Sequence, residues 1–312
     1  VSLATFVVVV LSAVGFGCLV TALVLHPSLV PPSPEGASPV KAGPADRCRP
    51  VVVGGRFAGG SPLYRPEALV AAETVVENPW VRIESHSVRM RDARRPGAFK
   101  TVTGWWWLQV ADHINVLPQV AVTTARRILA APKERLPASL RRLRPTPLAQ
   151  QVLEHEPHSA ADDAVPLFIL YRQPKYGITG SDERDTIAVV GGLKNDTEDA
   201  AAGLAGTATR ELREELGMVA RRMVRFGTHR VDGNRGCGTI GTFLALDATI
   251  DPQYEPPADG DNGDLEAQVA LLVALDDLHG ALTRGEIREL KWSHTIAMTL
   301  LHFRDGLFAA AS

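Results

Sequence analysis

The sequence predicts an α/β domain preceded by one membrane-spanning helix. Three observations predict it. Strand-like and helix-like segments succeed one another from residue 78 to residue 305. A charged helical word, Arg210-Glu211-Leu212-Arg213-Glu214-Glu215-Leu216-Gly217, stands among them. The amino end carries 23 residues without a charge, Leu3 to Leu25. The chain has 312 residues, enough for one or two domains with a sizeable core. Its net charge of −2 exerts no global pull toward nucleic acid. Its three cysteines, Cys18, Cys48 and Cys237, form neither a CxxC pair nor an even framework, so neither structural zinc nor a disulfide scaffold is indicated.

In chain order, Leu3 to Leu25 is long enough at helical rise to cross a hydrocarbon core of about 30 Å. It lacks the basic start and cleavage site of a signal peptide, and the numbered chain opens on Val. The expectation is a retained single-pass anchor, residues 1–26, with an upstream targeting piece removed. A mitochondrial inner membrane fits that start. Ala13, Gly17 and Thr21 form a small-residue stripe that suits either a partner helix or lipid. Residues 27–77 read as a Pro-rich linker and extended segment, with seven prolines between 27 and 50.

From residue 78 the pattern alternates. Residues 78–90 and 98–110 read as a hairpin, and residues 111–122 as a further strand. Trp105, Trp106 and Trp107 suit packing or stacking on a base. An insert, residues 123–163, then carries seven basic residues between Arg126 and Arg144 against one acid, Glu134. Its apolar spacing predicts two short helices broken near Pro132 and Pro137, placed outside the main fold. It reads as a docking arm for anionic lipid or an acidic partner, or else as a solvated basic surface. Nucleic acid ranks last, because no aromatic residue interleaves the charges. Residues 165–171 and 185–191 are predicted strands, as are 218–231 and 238–249. Residues 268–275 form a strand, 276–285 a short helix, and 286–303 a closing helix. Residues 306–312 are a tail.

The helical word carries the chemistry. Leu, Arg and Glu are good helix formers, no Pro intervenes, and Gly217 is a fitting stop. On a helix Glu211, Glu214 and Glu215 stand at i, i+3 and i+4, so three carboxylates share one face. Such a cluster repels itself unless a cation sits in it, and Mg²⁺ prefers carboxylate and phosphate oxygens. Arg210 stands four residues before Glu214 and can orient it.

With Gly191 and Gly192 upstream, this stretch resembles the Nudix box. Gly192, Glu198, Arg210, Glu211, Leu212, Glu214, Glu215, Gly217 and Met218 take its fixed positions. Eleven residues separate Glu198 from Arg210, where the family pattern has seven. The family's acidic residue and Pro before its first Gly are replaced by Ile187-Ala188-Val189-Val190. The segment Gly206-Thr207-Ala208-Thr209 is similar to the ADP-sugar and ADP-ribose diphosphatase branch. The resemblance implies an α/β/α sandwich with a mixed sheet over residues 78–305. It also implies Mg²⁺, or Mn²⁺ in its place, held by Glu211, Glu214 and Glu215, with Arg210 in support and Gly191, Gly192, Glu198 and Gly217 shaping the loop. A general base would come from the acidic loop, where Glu255, Asp259, Asp261, Asp264 and Glu266 compete; His229 reads as a surface residue. Two functions follow. One is a membrane-anchored Mg²⁺-dependent hydrolase of a nucleoside diphosphate-linked compound such as an ADP-sugar. The other is a non-catalytic accessory subunit of a large respiratory complex, touching other subunits. The box carboxylates favour the first. The anchor, insert and lengthened loop favour the second.

Overall fold

The computed structural model describes residues 67–155, 165–175, 177–178, 185–194, 202–255 and 268–305, and the backbone alone at 7–14 and 17–24. The chain divides into two compact units. The first comprises Val1–Ala111 with Asp232–Gly238, the second Asp112–Val231 with Thr239–Ser312.

In the first unit, β1 (Val7–Val14) and β2 (Gly17–Val24) pair antiparallel. This corrects the helix expected over Leu3 to Leu25. Seven of these residues are Val, a β-branched side chain that favours a pleated strand. Among the described residues no helix is long and apolar enough to cross a membrane; that statement concerns helices, not strands. Strands β3 (Leu69–Glu77), β4 (Val81–Arg91) and β5 (Phe99–Val110) then form an antiparallel meander. β3 falls inside the stretch read as linker. The Asn78 side chain turns the chain from β3 to β4 by accepting from the N–H groups of Trp80 and Val81, both at 2.9 Å. Val81, Ile83 and Trp107 are buried here beside a polar pair, Glu84 and His86, whose Oε2 and Nε2 lie 2.8 Å apart. The His86 ring stacks on Trp107 at 5.8 Å between centroids. Trp105 donates to the Asn234 carbonyl at 2.6 Å, and Trp106 is exposed. Of the three tryptophans, Trp107 is packed as core.

The second unit holds β6 (His113–Val120), α1 (Val122–Ala130), α2 (Pro147–Glu154), β7 (Leu167–Gln173), β8 (Thr186–Ala188), β9 (Val190–Leu193), α3 (Gly203–Leu216), all but the last residue of β10 (Arg222–Asp232), all but the first three residues of β11 (Gly236–Leu246), β12 (Val269–Ala274), α4 (Leu275–Thr283) and α5 (Leu290–Asp305). Its sheet is mixed. β6 lies antiparallel to β9 and β7 and parallel to β11, while β7 also pairs antiparallel with β12 and β8. Register decides what the helices meet. Ile114 stands between Gly192 on β9 and Gly241 on β11. Asn115, the next residue and therefore on the other face, stands between Gly191 and Thr242. A methyl added at Gly192 would strike Glu211 of α3, and one at Gly241 would touch Leu204 of α3. Asn115 instead donates to Thr295 of α5 at 3.4 Å. So α3 and α5 cover opposite faces of the sheet, and this unit is an α/β/α arrangement. The strands and closing helices expected from residue 165 onward are present.

The insert differs from the expected arm. α1, α2 and two 3-10 turns, Lys133–Arg135 and Ala138–Arg142, occupy it, with breaks at Pro132 and Pro137 as expected. Yet Ala125, Ile128, Leu136, Leu140, Leu143 and Ala149 all belong to the buried core of the unit. Full burial of each Leu or Ile stabilises by about 1.5–3 kcal/mol, so the insert is part of the core and not an appendage.

Candidate functional site

Helix α3 begins at Gly203 and runs through Leu216, longer than the segment expected. Ala208, Leu212 and Leu216 are its fully buried apolar face. Gly217 ends it in the left-handed region, φ 59° and ψ 30°, with its N–H on the Arg213 carbonyl at 2.8 Å. A Cβ at Gly217 would lie 2.4 Å from Pro137 Cγ and 2.9 Å from Tyr254 Cγ, so the position requires Gly twice over. The same end is tied elsewhere. Ser139 Oγ donates to the Glu215 carbonyl at 2.6 Å, and Arg213 Nε meets Asp251 Oδ2 at 2.7 Å. Asp251 N–H donates to the Gly217 carbonyl at 2.8 Å. Tyr254, half-buried against this turn, has its phenol pushed above the ordinary value of 10 by burial, with Arg141 opposing. Thus residues 137–139 of the insert and 251–254 of the following loop fix the end of α3 that carries Glu214 and Glu215.

The carboxylates have different surroundings. Glu211 is 5 % exposed and lies directly over Gly192, where an added Cβ would be 1.9 Å from its Cδ. Glu214 has 57 % of its side chain exposed, and Glu215 is half-buried. Arg210 joins the group. Its guanidinium meets Glu211 Oε1 at 2.8 Å, Glu214 Oε2 at 2.6 Å and the Leu193 carbonyl at 2.9 Å. One cation thereby links two carboxylates of α3 to the strand that carries Gly192. Charge-assisted contacts of this kind are roughly twice as strong as neutral ones. The structure brings together Gly192, Arg210, Glu211 and Glu214, with Gly191 alongside on the other face of β9.

Glu198 lies outside the described residues, as do Asp259, Asp261, Asp264 and Glu266; Glu255 is exposed. His229 is exposed, and its ring lies edge-on to His294 with centroids 4.6 Å apart. Burial, and then the His229 charge, hold His294 below the ordinary 6.5. Ser139, Pro137, Asp251 and Tyr254 support the site yet carry no local signal in the sequence, because their partners on α3 are remote along the chain.

No group of three His, Cys, Asp or Glu side chains converges for a metal among the described residues. The donor chemistry nevertheless suits Mg²⁺. This ion takes oxygen ligands and is commonly held by one or two carboxylates plus substrate phosphates, with waters completing its octahedron. Glu211 supplies a buried carboxylate in a cradle that a Cβ would fill, and Glu214 and Glu215 follow on the same helix. These three residues would hold the ion.

Fold and site together define a mixed α/β protein with a helix-borne carboxylate cluster braced by arginine. No family model and no curated protein matches the chain. Among solved structures it is similar to one described as the crystal structure of an ADP compounds hydrolase, with a TM-score of 0.45, 12 % sequence identity, and coverage of 81 % of this chain and 98 % of that one.

Proposed function

We propose that this protein is a Nudix-type, Mg²⁺-dependent hydrolase of a nucleoside diphosphate-linked compound such as an ADP-sugar. The single observation that carries the reading is the seating of Glu211 on Gly192 with Arg210 bridging Glu211 to Glu214. A helix face used only for solvation has no need to bury a carboxylate against a glycine or to bind it by arginine. When bound, the metal neutralises phosphate oxygens and lowers the pKa of a bound water. Glu211, Glu214 and Glu215 would hold it, Arg210 orients Glu211 and Glu214, and Gly192 leaves the space in which Glu211 sits.

A second reading, a non-catalytic accessory subunit of a membrane complex, is favoured by one observation. Arg210 already pairs with two of the carboxylates, so part of their mutual repulsion is relieved without a metal. The two readings separate in one experiment. The full chain is offered ADP-sugars, ADP-ribose and dinucleotides with and without Mg²⁺, beside Glu214→Gln. The hydrolase turns over at least one substrate, melts higher with Mg²⁺ by mass action, and loses orders of magnitude of rate in the Gln variant. Absence of both turnover and a Mg²⁺ thermal shift would leave the accessory reading.

A further inference from the structure

We propose that the outer face of the insert is a contact surface for an anionic lipid bilayer. Val122, Ala125, Ile128, Leu136, Leu140 and Leu143 are buried in the core of the second unit, which fixes the backbone of residues 122–143. Two of the seven basic residues are used internally. Arg126 donates to the Leu153 and His155 carbonyls at the end of α2, with its shortest contact at 2.5 Å, and Arg141 donates to the Leu136 carbonyl at 3.1 Å. The other five, Arg127, Lys133, Arg135, Arg142 and Arg144, are exposed. None has an ion pair or a side-chain hydrogen bond to a described residue.

Elsewhere in the same unit several surface cations have acidic partners: Arg213 with Asp251, Arg221 with Asp247, Arg284 with Glu286, Lys291 with Glu289, and Arg304 with Asp276, whereas Arg172, Arg222 and Arg225 are exposed outside these pairs. The insert has one acid, Glu134, among its seven cations. In a chain of net charge −2 such a local excess is a directed field, not a reflection of composition. Self-repulsion among five cations on a short rigid segment costs free energy in solution, and a surface of opposite charge removes that cost.

Two observations choose lipid over other polyanions. No aromatic side chain lies between Arg126 and Arg144 to stack on bases. Leu148, 41 % exposed, stands four residues after Arg144 and adds an exposed apolar side chain to the segment.

The test uses the full chain and vesicles of phosphatidylcholine, with or without about a third phosphatidylserine. The variant replaces Arg127, Lys133, Arg135, Arg142 and Arg144 by Gln. Each cation near an anionic surface is worth about fivefold in partitioning. The parent should prefer the anionic vesicles by at least a hundredfold, and the variant should lose nearly all of that preference while binding neutral vesicles as the parent does. Raising salt from about 0.1 to 0.5 M should erase the parent's preference, since screening shortens the field. The salt titration stands even if the variant misfolds. Equal preference in parent and variant, or a preference indifferent to salt, overturns the proposal. So does displacement from the anionic vesicles by single-stranded RNA or polyglutamate at lower concentration than lipid, which would make the partner another macromolecule.

Discussion

Gly192→Ala tests the centre of the site. The added Cβ would stand 1.9 Å from Glu211 Cδ, 2.0 Å from Oε1 and 2.2 Å from Cγ. Ordinary carbon contacts lie near 3.5–4.0 Å, so the Glu211 side chain must move by about 1.5–2 Å. It cannot do so and keep its 2.8 Å contact with Arg210. Overpacking a filled site costs about 1–3 kcal/mol. A lost charge-assisted hydrogen bond adds about 1.5–3 kcal/mol, taken at the low end because Arg210 is partly exposed. The expected total is about 2–4 kcal/mol. For a unit of this size that lowers Tm by about 5–15 °C. Gly191→Ala is the matched control. Its Cβ would meet Asn115 Oδ1 at 3.5 Å and the Ile114 carbonyl at 3.6 Å, ordinary contacts, so it should melt within about 2 °C of the parent. Calorimetry on both, on Glu211→Ala, and on Gly192→Ala combined with Glu211→Ala completes the cycle. If Glu211 is the obstacle, most of the cost of Gly192→Ala disappears once Glu211 is truncated. A Gly192→Ala protein as stable as Gly191→Ala, or one equally damaged with Glu211 truncated, refutes the reasoning.

Two further outcomes are expected. Gly217→Ala should cost about 2–4 kcal/mol in urea unfolding, from a left-handed backbone and from contact with the Pro137 ring. Gly97→Ala, at φ 83° with nothing within 4 Å, meets only the backbone term and should cost about half as much. For pH, burial holds His294 below its ordinary 6.5, so the folded state resists the proton that the unfolded state accepts. Stability is therefore full above pH 6.5 and declines as pH falls from there toward the depressed folded value. Urea midpoints between pH 8 and 5 should show that decline, and His294→Gln should reduce it.

Period and punctuation make much of this fold legible in the amino-acid sequence. The hairpin of β4 and β5 announces itself by alternation around a polar turn, and α3 by its run of helix formers up to Gly217. Those signals are local, and local signals survive without knowing the partner. Where partners decide, sequence patterns mislead. The uncharged amino stretch reads as a spanning helix by hydropathy, but its seven Val residues in β1 and β2 favour strands. β3 hides in a stretch that reads as linker, because a short strand of nine residues beside β4 needs no strong period of its own. The charge of the insert masks Ile128, Leu136 and Leu140, whose burial is visible only against the rest of the core.

The site shows the same division at a finer scale. Gly191 and Gly192 read alike in sequence, as one turn-forming pair. The structure separates them. Both lie in β9, and neither has the positive φ that would demand glycine. Gly191 tolerates a side chain and Gly192 does not, solely because β9 pairs with β6 in a register that turns Gly192 toward α3. The requirement for glycine there is thus imposed by Glu211. Shift the register by one residue and Gly191 would become the essential position, with Glu211 facing the wrong residue and Arg210 unable to reach the Leu193 carbonyl. The chemistry of α3 therefore depends on strand pairing as much as on its own carboxylates. A bulge inserted into β9 should damage the site as thoroughly as removal of Glu211, while leaving every residue of the helical word in place.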